Sequence, residues 1–319
     1  MPDDHQHYVP QFLLRNFAAV GSKRNDRIWV FDKRNEKCFL AAISKIATQG
    51  NFYDFSLNGE TLSLDPDLQR LESLVAGDFR EILRQRAIPK SRETRARIAL
   101  FVAVQMVRTK AHRQQFVDFT DLMLQEVEKR GGWAPGAPQA CEFNAEESAA
   151  QWIQIIPDLA KTAAPLIMQK SWILYSTTTR DPFFIGDNPV TLDNSTYGAD
   201  LSGRLGLAST GIEVYLPLSN TLSMGFLCPS HEATIRAGVE RFGDRLDSLP
   251  NGPSARAMIK AFDGEEPLAF DHQNVLRHNS MQVCYAEQYV FSHDDNFALI
   301  REMISTNPET KGGPRLTIV

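Results

Sequence analysis

Cysteine is scarce: four in 319 residues, at Cys38, Cys141, Cys228 and Cys284, none in a Cys-x-x-Cys pair. That spacing argues against a zinc ribbon, and a chain of this length has core enough to need no disulfide framework. A membrane span is missing too. The most apolar stretch, Ile98–Val107, is about half the length a bilayer requires and contains Gln105. The opening Met-Pro-Asp-Asp-His has neither the basic nor the apolar region of a secretory signal. The expected setting is cytoplasmic and away from membranes. There is no excess of base: a net charge of −5 and a pI near 5.8 exclude a general nucleic-acid coat, though not a local basic patch. Also absent are a phosphate-binding Gly-x-x-x-x-Gly-Lys-Ser/Thr loop, a dinucleotide Gly-x-Gly-x-x-Gly, a Gly-x-Ser-x-Gly elbow and a His-Glu-x-x-His helix.

What is present is an ordinary globular balance, 43% hydrophobic and 23% charged, which rules out wholesale disorder. Residues 1–10 read as extended, with Pro10 leading a short helix over Gln11–Phe17. Arg27–Asp32 and Cys38–Ile43 read as a hairpin. Asp65 followed by Pro66 reads as a capped helix start, running to about Arg86 on the apolar stripe Leu68, Leu71, Val75, Phe79, Ile82 and Leu83. A second helix is expected over Arg92–Lys129, apolar on nearly every side from Ile98 to Val107 and so central to the core. The Gly- and Pro-rich stretch from Gly131 is a loop or an internal boundary, placed at 131–145 within what is expected to be one domain. A helix over Ala145–Gln169 follows, bent or interrupted at Pro157 and Pro165. Short strands then take over, with helices at 271–286 and 294–304. The expected class is α+β: a helical first half with an N-terminal β-hairpin, packed on a mainly antiparallel sheet from the second half.

Five groups of polar residues stand where chemistry is conceivable. His5 and His7 share one side of an extended segment, and His7 is anchored by Tyr8 and Val9, with Gln11 following. They suit a metal or a phosphate, and equally a solvated terminus. Glu72 interrupts the apolar stripe of its helix, where a carboxylate needs a partner or becomes neutral. Gln105, Arg108 and His112 fall on one face of the long helix. Arg108, inside an apolar run, is costly unless paired, and Glu72 on the preceding helix is its natural partner, catalytic or structural. Arg113 adds a second cation for a phosphate or carboxylate. Asp187 and Asn188, in Gly186-Asp187-Asn188-Pro189, make either a plain turn or a strand-end site for a metal or general base. Asn274 and His278, four apart on a helix, could carry a ligand or be core and surface residues. A local excess of eight positive charges lies between Arg80 and Arg113, ten Lys and Arg against Glu81 and Glu93. It suits nucleic acid or nucleotide, or a solvated loop around Pro89; it is nearly devoid of the aromatics that base stacking uses.

His7-Tyr8-Val9-Pro10-Gln11, followed by Phe12, Leu14, Arg15 and Phe17, resembles the opening of a bacterial family known as domain of unknown function 4238. Gln105-Met106-Val107-Arg108-Thr109 with Arg113, Gly186-Asp187-Asn188-Pro189, and Tyr215-Leu216-Pro217-Leu218-Ser219 are similar to later stretches of it. Together they span most of the chain. The resemblance implies a shared fold and a shared site, and brings no activity with it.

Two functions remain open. In one, His5, His7 and Asp187, with Glu72, hold magnesium or manganese that activates water for phosphodiester hydrolysis, and Arg108 or Arg113 stabilises the phosphate. A restriction-nuclease pattern on Asp187 and Glu213 lacks its Glu-x-Lys element, since Glu213 and Val214 lead to Tyr215. In the other, the polar cluster is structural and the chain is a binding or regulatory module.

Overall fold

The computed structural model describes residues 5–132, 145–197 and 205–315. The chain opens on β1 (His5–His7), and Pro10 precedes the short helix α1 (Gln11–Leu14), which tightens into a 3-10 turn through Phe17. β2 (Arg27–Asp32) and β3 (Lys37–Ala42) form the expected hairpin. β4 (Thr48–Gly50) pairs back on β1, placing His5 opposite Gly50 and His7 opposite Thr48. β5 (Asp54–Leu57) and β6 (Glu60–Ser63) make a second hairpin. These last three strands were not expected; they are short and largely polar, and β6 is exposed throughout, so no apolar alternation marks them.

Four helices follow: α2 (Asp65–Gln85), α3 (Arg92–Val107), α4 (Lys110–Lys129) and α5 (Ala145–Met168). Asp65 already lies inside α2, and Leu64 occupies the cap position. The helix expected from Arg92 to Lys129 is two helices. The chain leaves helical geometry at Arg108 and restarts at Thr109, whose hydroxyl accepts the His112 amide at 3.4 Å. That is an N-cap, which favours a new helix over a continued one. α5 runs from Ala145 to Met168 through both Pro157 and Pro165. The stretch 133–144, where a boundary or loop is expected, lies outside the described residues.

The remainder is β7 (Ser171–Ser176), β8 (Ile185–Gly186), β9 (Thr191–Asp193), β10 (Glu213–Ser219), β11 (Leu222–Leu227), α6 (Pro229–Phe242), α7 (Gly252–Phe262), β12 (Leu268–Ala269), α8 (His272–Tyr285), β13 (Tyr289–Ser292) and α9 (Ala298–Thr306). Four of the nine helices among the described residues therefore lie in a half expected to be dominated by strands. α6 and α7 were not expected; Pro229 and Pro253 sit in their first turns, where proline is tolerated.

One sheet runs β12-β7-β11-β10-β9 and another β3-β2-β13-β8, so the N-terminal hairpin is extended by β13 from the far end of the chain and β8 from its middle. Pairing is antiparallel except between β12 and β7, and the class is α+β. β10 and β11 are buried at every position, which places them between layers rather than on a half-wet face. A single apolar cluster takes Phe79, Phe101, Trp152, Trp172 and Phe226 together, drawing on both sides of the 133–144 stretch. A smaller one gathers Phe31, Phe184, Phe297 and Ile300 beside β13 and α9.

Candidate functional site

The residues singled out from sequence fall into separate places. His5, His7, Gln11 and Glu72 line one shallow pocket of about 430 Å3 with Asp65 and Arg15. Arg108, fully buried, lies behind it. Its Nη2 donates to Glu72 Oε1 at 2.7 Å and to the His7 carbonyl at 3.0 Å, and Nε reaches the Tyr8 carbonyl at 3.5 Å. Gln105 Nε2 donates to the same Tyr8 carbonyl at 2.9 Å. The Tyr53 hydroxyl donates to the Arg108 carbonyl at 2.8 Å. Burial works against the Arg108 charge, but Tyr53 and Glu72 together hold its pKa above the ordinary value. The segment 5–11 is thus tied down by two side chains that grip main-chain oxygens.

His112 belongs elsewhere. It accepts from Trp152 Nε1 through Nδ1 at 3.1 Å, and burial pushes its pKa down to about 4. Arg113 lies over the Phe52 ring, 4.6 Å from its centre, in another groove. The single helical face expected of Gln105, Arg108 and His112 is corrected by the break between α3 and α4.

Asp187 is consumed by main-chain donors of the segment between α8 and β13. Its carboxylate accepts the main-chain N–H groups of Glu287 at 2.6 Å, Gln288 at 2.9 Å and Tyr289 at 2.9 Å. Burial raises its pKa to about 6, against the pull of those amides and of Lys33. Lys33 is itself buried and pushed down to about 8 by that burial; its Nζ donates to the carbonyls of Val283 at 2.7 Å and Ala286 at 2.6 Å. Asn188 bridges the Thr109 hydroxyl, which donates at 3.0 Å, and the Tyr285 carbonyl at 3.2 Å. The metal site expected of His5, His7 and Asp187 is not assembled. Among the described residues no three His, Cys, Asp or Glu side chains are grouped to hold an ion, and both Asp187 oxygens already have donors.

The basic segment is also largely spoken for. Arg84 and Arg97 pair with Glu81 and Asp78, and Arg108 is internal. Arg95, Lys110 and Arg113 lie over the rings of Trp172, Tyr8 and Phe52.

Chemistry converges at the third place. Asn274 and His278, one turn apart on α8, line a cavity of about 380 Å3 between the five-stranded sheet and α6, α7 and α8. Its walls include Tyr175, Tyr215, Phe270, Met258 and Met281. Gly225 makes room for Tyr175, because a Cβ there would stand 2.6 Å from that ring. Glu213 and Tyr215, two apart on β10, share a face. The Glu213 carboxylate, on a residue only 7% exposed, accepts the hydroxyls of Tyr215 and Ser195.

His231, on α6, sets Nε2 3.6 Å from Glu213 and 2.9 Å from the Gly211 carbonyl. A carbonyl only accepts, so Nε2 carries a proton, and Nδ1 is the ring nitrogen left for proton exchange. Gly211 adopts φ +79°, and a Cβ would lie 2.2 Å from Thr196 Oγ1; only glycine puts the carbonyl there.

His278 is 1% exposed, and burial pushes its pKa down to about 3, so the ring is neutral. Its Nε2 lies 2.8 Å from Ser223 Oγ, while Nδ1 has no partner among the described residues. Nδ1 is itself enclosed, so His278 meets the cavity through its ring rather than through that nitrogen.

The model of a family described as "Protein of unknown function (DUF4238)" matches residues 5–296. The chain belongs to the DUF4238 family. No curated protein and no solved structure matches it. Asn274 and His278 were visible as a helical i, i+4 pair. Glu213 was weighed only for a nuclease pattern. Tyr175, His231 and Arg277 were missed. His231 lies on a helix that was not foreseen. Arg277, which pairs with Asp193, is separated from it by 84 positions. The signal that could have found Glu213 is its place beside Tyr215 in a strand otherwise apolar at Val214, Leu216 and Leu218.

Proposed function

We propose that the chain binds a small organic molecule in the cavity lined by Glu213, Tyr215, His231 and His278. The observation that carries this is a concave wall of aromatic, aliphatic and polar side chains around a buried carboxylate that has no lysine or arginine partner among the described residues. Small-molecule sites have that composition, and about 380 Å3 lies within their usual range. A buried carboxylate without a compensating cation costs stability, so its presence on a cavity wall favours a ligand that completes it.

Catalysis is a second reading, favoured by His231. Its Nδ1 is open, its Nε2–H is fixed by Gly211, and Glu213 stands close enough to stabilise the imidazolium. A general base needs those three features. The reaction they suit is proton abstraction or hydrolysis on a small substrate. Phosphodiester hydrolysis is less well supported, because Arg277, the guanidinium beside this cavity, is already held by Asp193.

The test is a fragment screen by ligand-detected NMR, repeated on Met258→Trp. Met258 lines the cavity, and the larger ring occupies its volume. Wild type should yield hits that compete with one another. The variant should lose them while its melting temperature stays within a few degrees. Hits that survive Met258→Trp unchanged, or a wild type with none, would overturn the reading.

A further inference from the structure

We infer that the ligand of this cavity is a small organic cation, its ammonium seated against Glu213 among the rings of Tyr175, Tyr215 and Phe270. The inference rests on the cavity being the ligand site and adds the class of molecule that fills it. Charge comes first. Among the described residues, neither Glu213 nor Asp271, both on the cavity wall, has a lysine or arginine partner. Arg277, also on that wall, is bound to Asp193. Glu213 and Asp271 thus set two carboxylates on the wall against a guanidinium already engaged by Asp193, and an anionic ligand would be repelled from a carboxylate that water reaches poorly.

The rings make the second argument. Tyr175 and Phe270 have centroids 4.4 Å apart, and Tyr175 and Tyr215 5.8 Å apart, so a cluster of rings lines the cavity beside the carboxylate that accepts the Tyr215 hydroxyl. Ring faces together with a carboxylate are how proteins hold ammonium groups. Glu213 accepts from two hydroxyls, one at each oxygen, which leaves lone pairs free on both for an N–H donor.

Met258 and Met281, flexible side chains on the same wall, adapt to the apolar body of such a ligand.

The experiment is isothermal titration calorimetry at neutral pH with phenethylamine, 2-phenylethanol and phenylacetate, which share a skeleton and differ in charge. Phenethylamine should bind about tenfold or more tightly than the alcohol, the increment of one charge-assisted hydrogen bond. Phenylacetate should give no heat. Glu213→Gln should bring the amine down to the level of the alcohol. Asp271→Asn, at the exposed rim, should weaken the amine by a smaller factor and leave the alcohol unchanged, which keeps the test decisive if Glu213→Gln does not fold. Equal affinity for amine and alcohol, tighter binding of phenylacetate, or no binding of any of the three would overturn the inference. If fragments still bind and are lost in Met258→Trp, only the cationic class is wrong. If no fragment binds, the cavity reading falls with it.

Discussion

Asp187→Ala should lower the unfolding free energy by about 3 kcal/mol or more, read as a fall in the urea midpoint at unchanged slope. The substitution strips the acceptor from three consecutive main-chain N–H groups at Glu287, Gln288 and Tyr289. Glu287 is buried, and a buried donor left without a partner costs about 1–3 kcal/mol. The loss is not local. Those amides lead into β13, which joins the hairpin strand β2 to β8, so the Asp187 turn sets the register of the four-stranded sheet. Lys33 would also lose the carboxylate that opposes the lowering of its own pKa. A variant as stable as wild type would show that water replaces the carboxylate at no cost.

The same residue gives a pH signature. Its folded pKa of about 6 stands above the ordinary 3.8, so the folded state holds this proton more tightly than the unfolded chain. The stabilisation from protonation is fully present below about pH 4 and is lost as pH rises through 6. The span of about two pKa units corresponds to roughly 3 kcal/mol. Urea midpoints of wild type and Asp187→Asn, compared from pH 4 to 7, should diverge. The difference between the two should shift by that order across the window, since the amide does not titrate. Parallel curves would place the Asp187 titration outside it.

Legibility from sequence followed the range of the interaction. The β2–β3 hairpin, α2 and α8 were readable because turn, period and cap lie within a few residues. Asp271 caps α8 by accepting the Asn274 amide at 2.9 Å. The break at Arg108–Thr109 was not readable from periodicity, because Ile98–Val107 is apolar all round and carries no phase to lose. Thr109 was the local clue: a good capping residue at the end of an apolar run. Asp187 was recognised as a turn residue, but its three donors lie about 100 positions away, and no local pattern encodes them. The cavity was legible in pieces. The Asn274–His278 spacing put two members on one face, whereas bringing Glu213 and His231 to that face required knowing that α6 exists and where it packs.

The Glu72–Arg108 pair distinguishes a charge that can escape from one that cannot. Arg108 has a side chain 1% exposed, while Glu72 is 20% exposed at the rim of the N-terminal pocket. Removing the carboxylate, as in Glu72→Gln, leaves a guanidinium with no route to water and should cost about 3–5 kcal/mol. Removing the guanidinium, as in Arg108→Met, leaves a carboxylate that turns outward. It should cost less, even though the carbonyls of His7 and Tyr8 lose a donor. Tyr8 keeps Gln105 Nε2, and methionine fills much of the vacated volume. The double variant Glu72→Leu/Arg108→Met should recover part of the loss of Glu72→Gln, since apolar replacement of a buried ion pair is often neutral. Thermal denaturation of the three proteins measures this directly. The reverse order, with Arg108→Met the more damaging, would mean that gripping the main chain of residues 7 and 8 outweighs neutralising Glu72. The arginine would then act chiefly as a clasp on the N-terminal strand.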